Sequence, residues 1–142
     1  MKFDVEMWLV DRPKPYENNP RMISPEAIAK VAKSIKEYGF QQPIVVDEDD
    51  IILVGHTRLM AAQSLGVSEV PVHVASGLTA SQKRGYRVAD NRTGTESQWD
   101  YPLLKLELDT LNETDFDLGL TGFDPGELDD LLQFELEPEE GL

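Results

Sequence analysis

VGHTRLMAAQSLG, residues 54–66, joins an apolar strand to an amphipathic helix through a polar elbow, Gly55-His56-Thr57-Arg58. Ile51-Ile52-Leu53-Val54 reads as the strand, Leu59, Ala62 and Leu65 fall on the inward side of the helix, and Gly66 is its stop. A helix that begins near Thr57 leaves backbone N–H groups open at the positive end of its dipole. Gly55 allows close backbone approach, Thr57 can cap or hold an oxygen, and Arg58 can grip a phosphate with two parallel hydrogen bonds. The same four residues also suit a plain turn in which Thr57 caps the helix and Arg58 lays its stem along the surface. On the elbow alone, the two readings stand side by side.

Outward from the elbow, short-period signals place the other elements. Pro43-Ile44-Val45-Val46 is a strand paired with 51–54 through the hairpin tip Asp47-Glu48-Asp49-Asp50, a solvated turn that lacks the glycine and distal glutamate of a calcium loop. Val70, Val72 and Val74 alternate as a third strand, with His73 facing away from them, and residues 3–10 have strand composition. Ser24-Pro25-Glu26 opens a helix on which Ile28, Val31, Ala32 and Ile35 share one side, ended by Gly39. The loop 11–21, DRPKPYENNPR, is too rich in proline for regular structure. Thr79 opens a helix over SQKRGYRVADNR, whose Lys83 and Arg84 read as a solvated side, whereas Asp90-Asn91-Arg92 gains little from being helical. Asp100 to Asn112 is an amphipathic helix bearing Leu103, Leu104, Leu106, Leu108 and Leu111. Asp124-Pro125-Gly126-Glu127 forms a capping box ahead of Leu128, Leu131, Leu132 and Phe134, and the tail 135–142 is expected to fray.

The 142 residues can bury a core, and there is no cysteine, which excludes disulfides, thiolate metal sites and cysteine nucleophiles and suits a cytoplasmic protein. No apolar run is long enough to cross a membrane, and the acid-bearing start is not that of a signal peptide. Charge is unevenly spread. Residues 1–99 hold 12 Lys/Arg against 13 Asp/Glu, whereas 100–142 hold the single Lys105 against 14 acids. Weak or no binding to duplex DNA follows, because such binding rests on phosphate neutralisation, but a small anionic ligand is admitted. Neither GxxxxGK[ST] nor GxGxxG occurs.

Asn19-Pro20-Arg21, residues 39–46 (GFQQPIVV), Gly55-His56-Thr57-Arg58 with Ala61-Ala62, and Val70-Pro71-Val72 together resemble the N-terminal domain of ParB-like proteins, in matching order across roughly residues 5–92. The resemblance implies an α+β fold, a ParB/sulfiredoxin-like small mixed sheet with packed helices and an acidic helical C-terminal extension. The expected domains are 1–95 for nucleotide binding and 96–142 for the extension. ParB domains bind CTP. Carried over residue by residue, Gly55, His56, Thr57 and Arg58 would meet phosphates, Pro20 and Arg21 would lie beside them, and Asp90, Asn91 and Arg92 would close the site. The implied ligand is a nucleoside triphosphate, CTP or ATP, with Mg²⁺ and with slow NTPase action, and no catalytic residue or protein metal ligand is identified.

Sulfiredoxin shares this architecture with a Gly-Cys-His-Arg elbow, but its chemistry is excluded here, where His56 stands in place of the cysteine. A free-serine kinase with a Gly-His-His-Arg elbow needs a catalytic acid and a serine pocket that this sequence does not reveal. Residues 87–111 and 116–132 look like ParB-like domains of phage and prophage origin, which often precede a DNA methyltransferase domain. No methylase motif such as DPPY or FxGxG occurs, so a stand-alone form or a piece of a longer protein is expected. The helix-turn-helix region of partition ParB proteins is read as missing. The expected role is in a phage or prophage DNA-modification or DNA-transaction process, the alternatives being an adaptor for a methyltransferase or a ParB-like nuclease. The expected partners are the nucleotide, a methyltransferase and, as a homodimer, a second copy, with no membrane.

Overall fold

Three β-branched residues in a row, Ile44-Val45-Val46, make β2 (Ile44–Val46), and its neighbour β3 (Ile52–Val54) returns antiparallel to it. The computed structural model describes residues 3–96 and 98–134, so the tail 135–142 lies outside the described residues. The chain divides into two compact units, residues 1–97 and 98–142.

Unit 1 is a four-stranded mixed sheet in the order β1-β4-β2-β3, with β1 at Glu6–Leu9 and β4 at Glu69–Val74. β4 runs parallel to β2 and antiparallel to β1. The remaining elements are α1 (Pro25–Tyr38), α2 (His56–Ser64) and α3 (Ala80–Glu96). Trp8, Ile44, Val46, Ile52, Leu59, Ala62, Val70 and Val72 form the core. Each large aliphatic side chain there contributes about 1.5–3 kcal/mol by leaving water. The alternation of Val70 and Val72 puts both on the core side of β4, as their spacing requires.

Local signals set the helix ends. Ser24 caps α1, its Oγ accepting from the Ala27 N–H at 3.1 Å, with Pro25 in the first turn. Ile28, Val31, Ala32 and Ile35 are half-buried on the side of α1 that packs against α2. Thr79 and Gln82 cap α3 reciprocally, each backbone N–H meeting the other's side chain at 2.8 and 3.1 Å.

Three expectations are corrected. Leu65 is exposed and Ala61 is buried instead, because α2 is only nine residues long and its apolar stripe ends before Leu65. The proline-rich loop 11–21 forms no helix or strand, as expected, and one isolated bridge ties it to the sheet: Lys14 pairs with Ile51, its N–H donating to Asp50 O at 2.8 Å and its C=O accepting from Ile52 N at 2.9 Å. Lys14 sits between Pro13 and Pro15 and keeps both its donor and acceptor, so an edge of the sheet captures it. The hairpin tip is not uniformly solvated. Asp47 is buried, and its Oδ1 accepts from Asp49 N at 2.8 Å and Ile51 N at 3.1 Å. Lys83, expected on a solvated side, pairs with Asp47 at 3.4 Å and with Glu48 at 3.2 Å. Those turn amides and the Lys83 cation hold the Asp47 carboxyl below the usual carboxylate range against the opposing effect of burial.

Unit 2 comprises α4 (Tyr101–Asn112), a short 3₁₀ turn at Leu118–Thr121, and α5 (Pro125–Gln133). Its core is Leu104, Leu108 and Leu128, with Leu118, Phe123, Leu131 and Leu132 packed against it. The capping box reads true, with Asp124 N donating to Glu127 Oε1 at 3.0 Å. Leu103, Leu106 and Phe134 remain exposed, because a helix of 3.6 residues per turn can turn only one leucine stripe inward and Phe134 lies beyond the last turn of α5. No helix among the described residues is long and apolar enough to cross a membrane.

Candidate functional site

The elbow is built on a backbone conformation that favours glycine. Gly55 has φ 112° and ψ 23°, and a Cβ there would come within 3.3 Å of Ile44 Cα and Cγ1. Gly55 is itself the N-cap, so no N-cap side chain hydrogen-bonds into the first turn of α2. The capping alternative for Thr57 is thereby corrected: α2 begins at His56, one residue earlier than the sequence suggested, and Thr57 is its second residue. The first-turn amides thus follow a cap residue that has no side chain to cover them, an arrangement that suits an anion.

That helix end faces a hollow of about 540 Å³. Gly55, His56, Thr57 and Arg58 line it, together with Arg21 from the loop before α1 and Asp90 and Asn91 from α3. A second hollow of about 310 Å³ is lined by Pro20, Arg21, Val88, Asn91 and Arg92. The nine residues singled out in the sequence therefore fall on two hollows. Arg21 and Asn91 border both, while Pro20 and Arg92 line the second and not the first.

Arg58 is half-buried, and its Nη2 donates to Gln42 Oε1 at 3.1 Å, which aims the guanidinium. Burial weakens its hold on the proton, whereas Asp90 strengthens it. An arginine stays charged through such changes. Arg21 N donates to Asn19 Oδ1 at 3.2 Å, fixing the turn that presents its exposed side chain. Arg87, which the sequence reading did not single out, is a third cation on the main hollow and is buried. Its Nε donates to Ile52 O at 3.0 Å, and its guanidinium carbon lies 3.6 Å from the centroid of the Tyr16 ring. Among the described residues, three arginines and one acid, Asp90, face this space, a balance that favours an anion.

Helical spacing held the signal for Arg87. Lys83, Arg87 and Asn91 recur every four residues, so they share one side of α3, and two of them reach long-range partners on unit 1. Gln42 and Tyr16 had no comparable signal, because they act through residues far away in the chain, Gln42 through Arg58 and Tyr16 through His56 and Arg87.

His56 ties the elbow to the loop before α1. Its Nε2 accepts from Tyr16 N–H at 3.0 Å, so the neutral ring carries its proton on Nδ1. Burial first, and the nearby Arg87 cation second, push its pKa below the ordinary imidazole value. The unfolded chain thus binds this proton more readily. The His56 contribution to stability is present above about pH 6.5 and is lost as the pH falls through the lowered folded value. Melting followed from pH 7.5 downward is expected to fall more steeply for the native chain than for His56→Gln, whose amide oxygen can accept the Tyr16 N–H without titrating. Parallel curves would remove His56 as the cause.

A family model described as the ParB N-terminal domain matches residues 7–91, and one described as the ParB-methyltransferase HTH domain matches 102–141. The second match makes the acidic extension similar to a helix-turn-helix domain of the methyltransferase-linked kind, which is not the helix-turn-helix region of partition ParB proteins that the sequence lacks. The ParB-like nuclease domain-containing protein YnaK of Escherichia coli (strain K12) is 46% identical over 70 residues, covering 49% of this chain and 80% of that protein. A probable chromosome-partitioning protein ParB of Rickettsia bellii (strain RML369-C) is 32% identical over 88 residues, covering 61% of this chain and 30% of that protein. The chain thus spans about a third of the length of such partitioning relatives. The C-terminally truncated chromosome-partitioning protein ParB from Caulobacter crescentus, complexed with CTP-gamma-S, superposes with a TM-score of 0.67 at 22% identity, covering 78% of this chain and 63% of that one. The fold expected from the sequence, a small mixed sheet of ParB/sulfiredoxin type with packed helices, is the fold found.

Proposed function

This chain belongs to the ParB N-terminal domain family, and from that premise we propose that unit 1 binds a nucleoside triphosphate at the Gly55–Arg58 elbow. The observation that carries the reading is the start of α2, capped by a glycine without a side chain, opening onto a hollow bordered by Arg21, Arg58 and Arg87. In this reading the amides of the first turn of α2 and the Arg58 fork hold phosphate oxygens. Arg21 approaches from the loop, and Asn91 lies between the two hollows with Pro20, Asp90 and Arg92 around it. The similarity to a ParB solved with a CTP analogue makes CTP the first ligand to test and ATP the second.

Mg²⁺ suits such a site as a partner of the phosphates. Among the described residues the main hollow offers a single carboxylate, Asp90, so the ion would rest chiefly on phosphate oxygens and water, as Mg²⁺ commonly does. The bound ion would offset phosphate charge, and the chain's own residues bind and orient the ligand. Slow hydrolysis belongs to the same reading. The process served is DNA modification or another DNA transaction of phage or prophage type, and the helix-turn-helix match over 102–141 supports a methyltransferase as partner.

Calorimetric titration with CTP, ATP, GTP and UTP in the presence of Mg²⁺ tests this, with phosphate release as the readout for hydrolysis. Saturable heat for at least one of them is expected, and no heat from any of the four would end the reading. The name of the Escherichia coli relative favours a second reading, a nuclease. Nicking of plasmid DNA with Mg²⁺ that Asp90→Asn abolishes would establish it.

Direct DNA binding is expected to be weak or absent for the whole chain, since residues 100–142 hold 14 acids and one lysine. A gel shift at low salt checks this, and tight retention of duplex DNA would show that the acidic segment does not govern the surface.

A further inference from the structure

Unit 2 carries a helix-turn-helix match and offers no cation to a phosphate. Lys105 is its one basic residue, and its Nζ is held internally by Asp109 at 3.0 Å and by the Leu132 carbonyl at 2.8 Å. Helix-turn-helix units that read DNA are positioned by contacts to the phosphate backbone, and surrounding acids oppose that approach. What unit 2 does present is apolar surface. Leu103 and Leu106, 59% and 50% exposed, lie three residues apart on the side of α4 that turns away from the core leucines Leu104 and Leu108. Trp99 precedes the N-cap Asp100 and is 58% exposed, while its ring is steadied by Phe123 at a centroid distance of 5.6 Å. Asp100, Glu107 and Glu113 are exposed along the same helix.

We propose that Trp99, Leu103 and Leu106 form a docking surface for a basic amphipathic helix of a partner protein. The three apolar side chains supply the central anchors, tryptophan being among the side chains enriched at such centres. The carboxylates of Asp100, Glu107 and Glu113 supply the rim, which steers a Lys/Arg-bearing helix and sets its orientation. Charge selects this occupant. Duplex DNA meets repulsion from the same acids, and a second copy of the chain brings its own Asp100, Glu107 and Glu113 to the contact. Helix-in-groove recognition asks for apolar anchors at helical spacing within a complementary rim, and α4 provides both. The helix-turn-helix scaffold thus serves to display α4 to a protein. This inference stands independently of the nucleotide site.

The test uses the full chain and a synthetic lysine–leucine peptide of about 18 residues, some five helical turns, with its leucines on one side. A peptide of identical composition in scrambled order is the control. The ordered peptide is expected to bind at least tenfold more tightly than the scrambled one, and added salt should weaken both. The double variant Leu103→Ser/Leu106→Ser changes only exposed positions, so its circular dichroism should match the native chain while the tenfold preference disappears. Glu107→Lys/Glu113→Lys, which leaves the apolar residues intact, should lower affinity for the ordered peptide by a similar factor. Equal binding of the two peptides, or a preference that survives both double variants, overturns the proposal. Self-association in sedimentation that Leu103→Ser/Leu106→Ser abolishes would assign the face to a second copy, and tight duplex binding by the native chain would assign it to DNA. Either result would also overturn the proposal.

Discussion

Arg58→Ala is expected to weaken binding of a nucleoside triphosphate about tenfold or more, from loss of a charge-assisted contact worth roughly 1.5–3 kcal/mol. The fold should survive, because the Arg58 side chain contributes one hydrogen bond to Gln42 at a half-buried position and no part of the apolar core. Arg58→Lys should fall between the two, since it keeps the charge but loses the planar fork that matches two phosphate oxygens. Arg84→Ala is the matched control: Arg84 is exposed on α3 and borders neither hollow. Calorimetry on the four chains separates the cases. If Arg58→Ala binds as the native chain does, the elbow does not hold the phosphates, and the proposed function loses its central residue.

Leu108→Ala should be the most damaging single truncation in unit 2. Leu108 is 2% exposed at the centre of the cluster with Leu104 and Leu128, and cutting back such a leucine costs about 2–5 kcal/mol. A unit of this size rarely has more than about 3–5 kcal/mol to lose. Much of unit 2 should therefore be unfolded at room temperature in this variant. Loss of the near-ultraviolet signal from Trp99, whose ring leans on Phe123, would report it. Leu131→Asp is expected to act in the same direction, because Leu131 packs against the same cluster. Leu106→Ala removes the same atoms from a position that is 50% exposed and should change stability by no more than about 0.5 kcal/mol. Equal losses from Leu106→Ala and Leu108→Ala would mean that this core is not what holds unit 2 together.

Much of the architecture is legible in short windows of sequence. Ser24-Pro25-Glu26 opens α1 and Asp124 with Glu127 opens α5, because capping is settled between residues three apart. The inward valines of β4 follow from a period of two, and the apolar stripes of the helices follow from a period of 3.6. The family resemblance pointed to both parts of the elbow's surroundings, Pro20-Arg21 ahead of it and Asp90-Asn91-Arg92 behind it, and the fold gathers these around two neighbouring hollows. The same leucine pattern overstated the core of α4, since composition alone does not say which of two adjacent stripes meets α5.

What only the tertiary structure decided are the choices that depend on a partner far along the chain. Whether Gly55 or Thr57 caps α2 turns on how closely Ile44 approaches the elbow, eleven residues earlier in the chain. Lys83 looked solvated until the turn at Asp47 and Glu48 came within 3.4 and 3.2 Å of it. Arg87 became part of the site only through Tyr16 and the Ile52 carbonyl, and His56 received its tautomer from Tyr16 N–H, 40 residues away. Capping and periodicity are governed by torsions and neighbours within one or two turns, so they can be read from consecutive residues. Burial, ion pairing and ring contacts between distant segments exist only after the sheet has brought those segments together, and no local pattern encodes their distance.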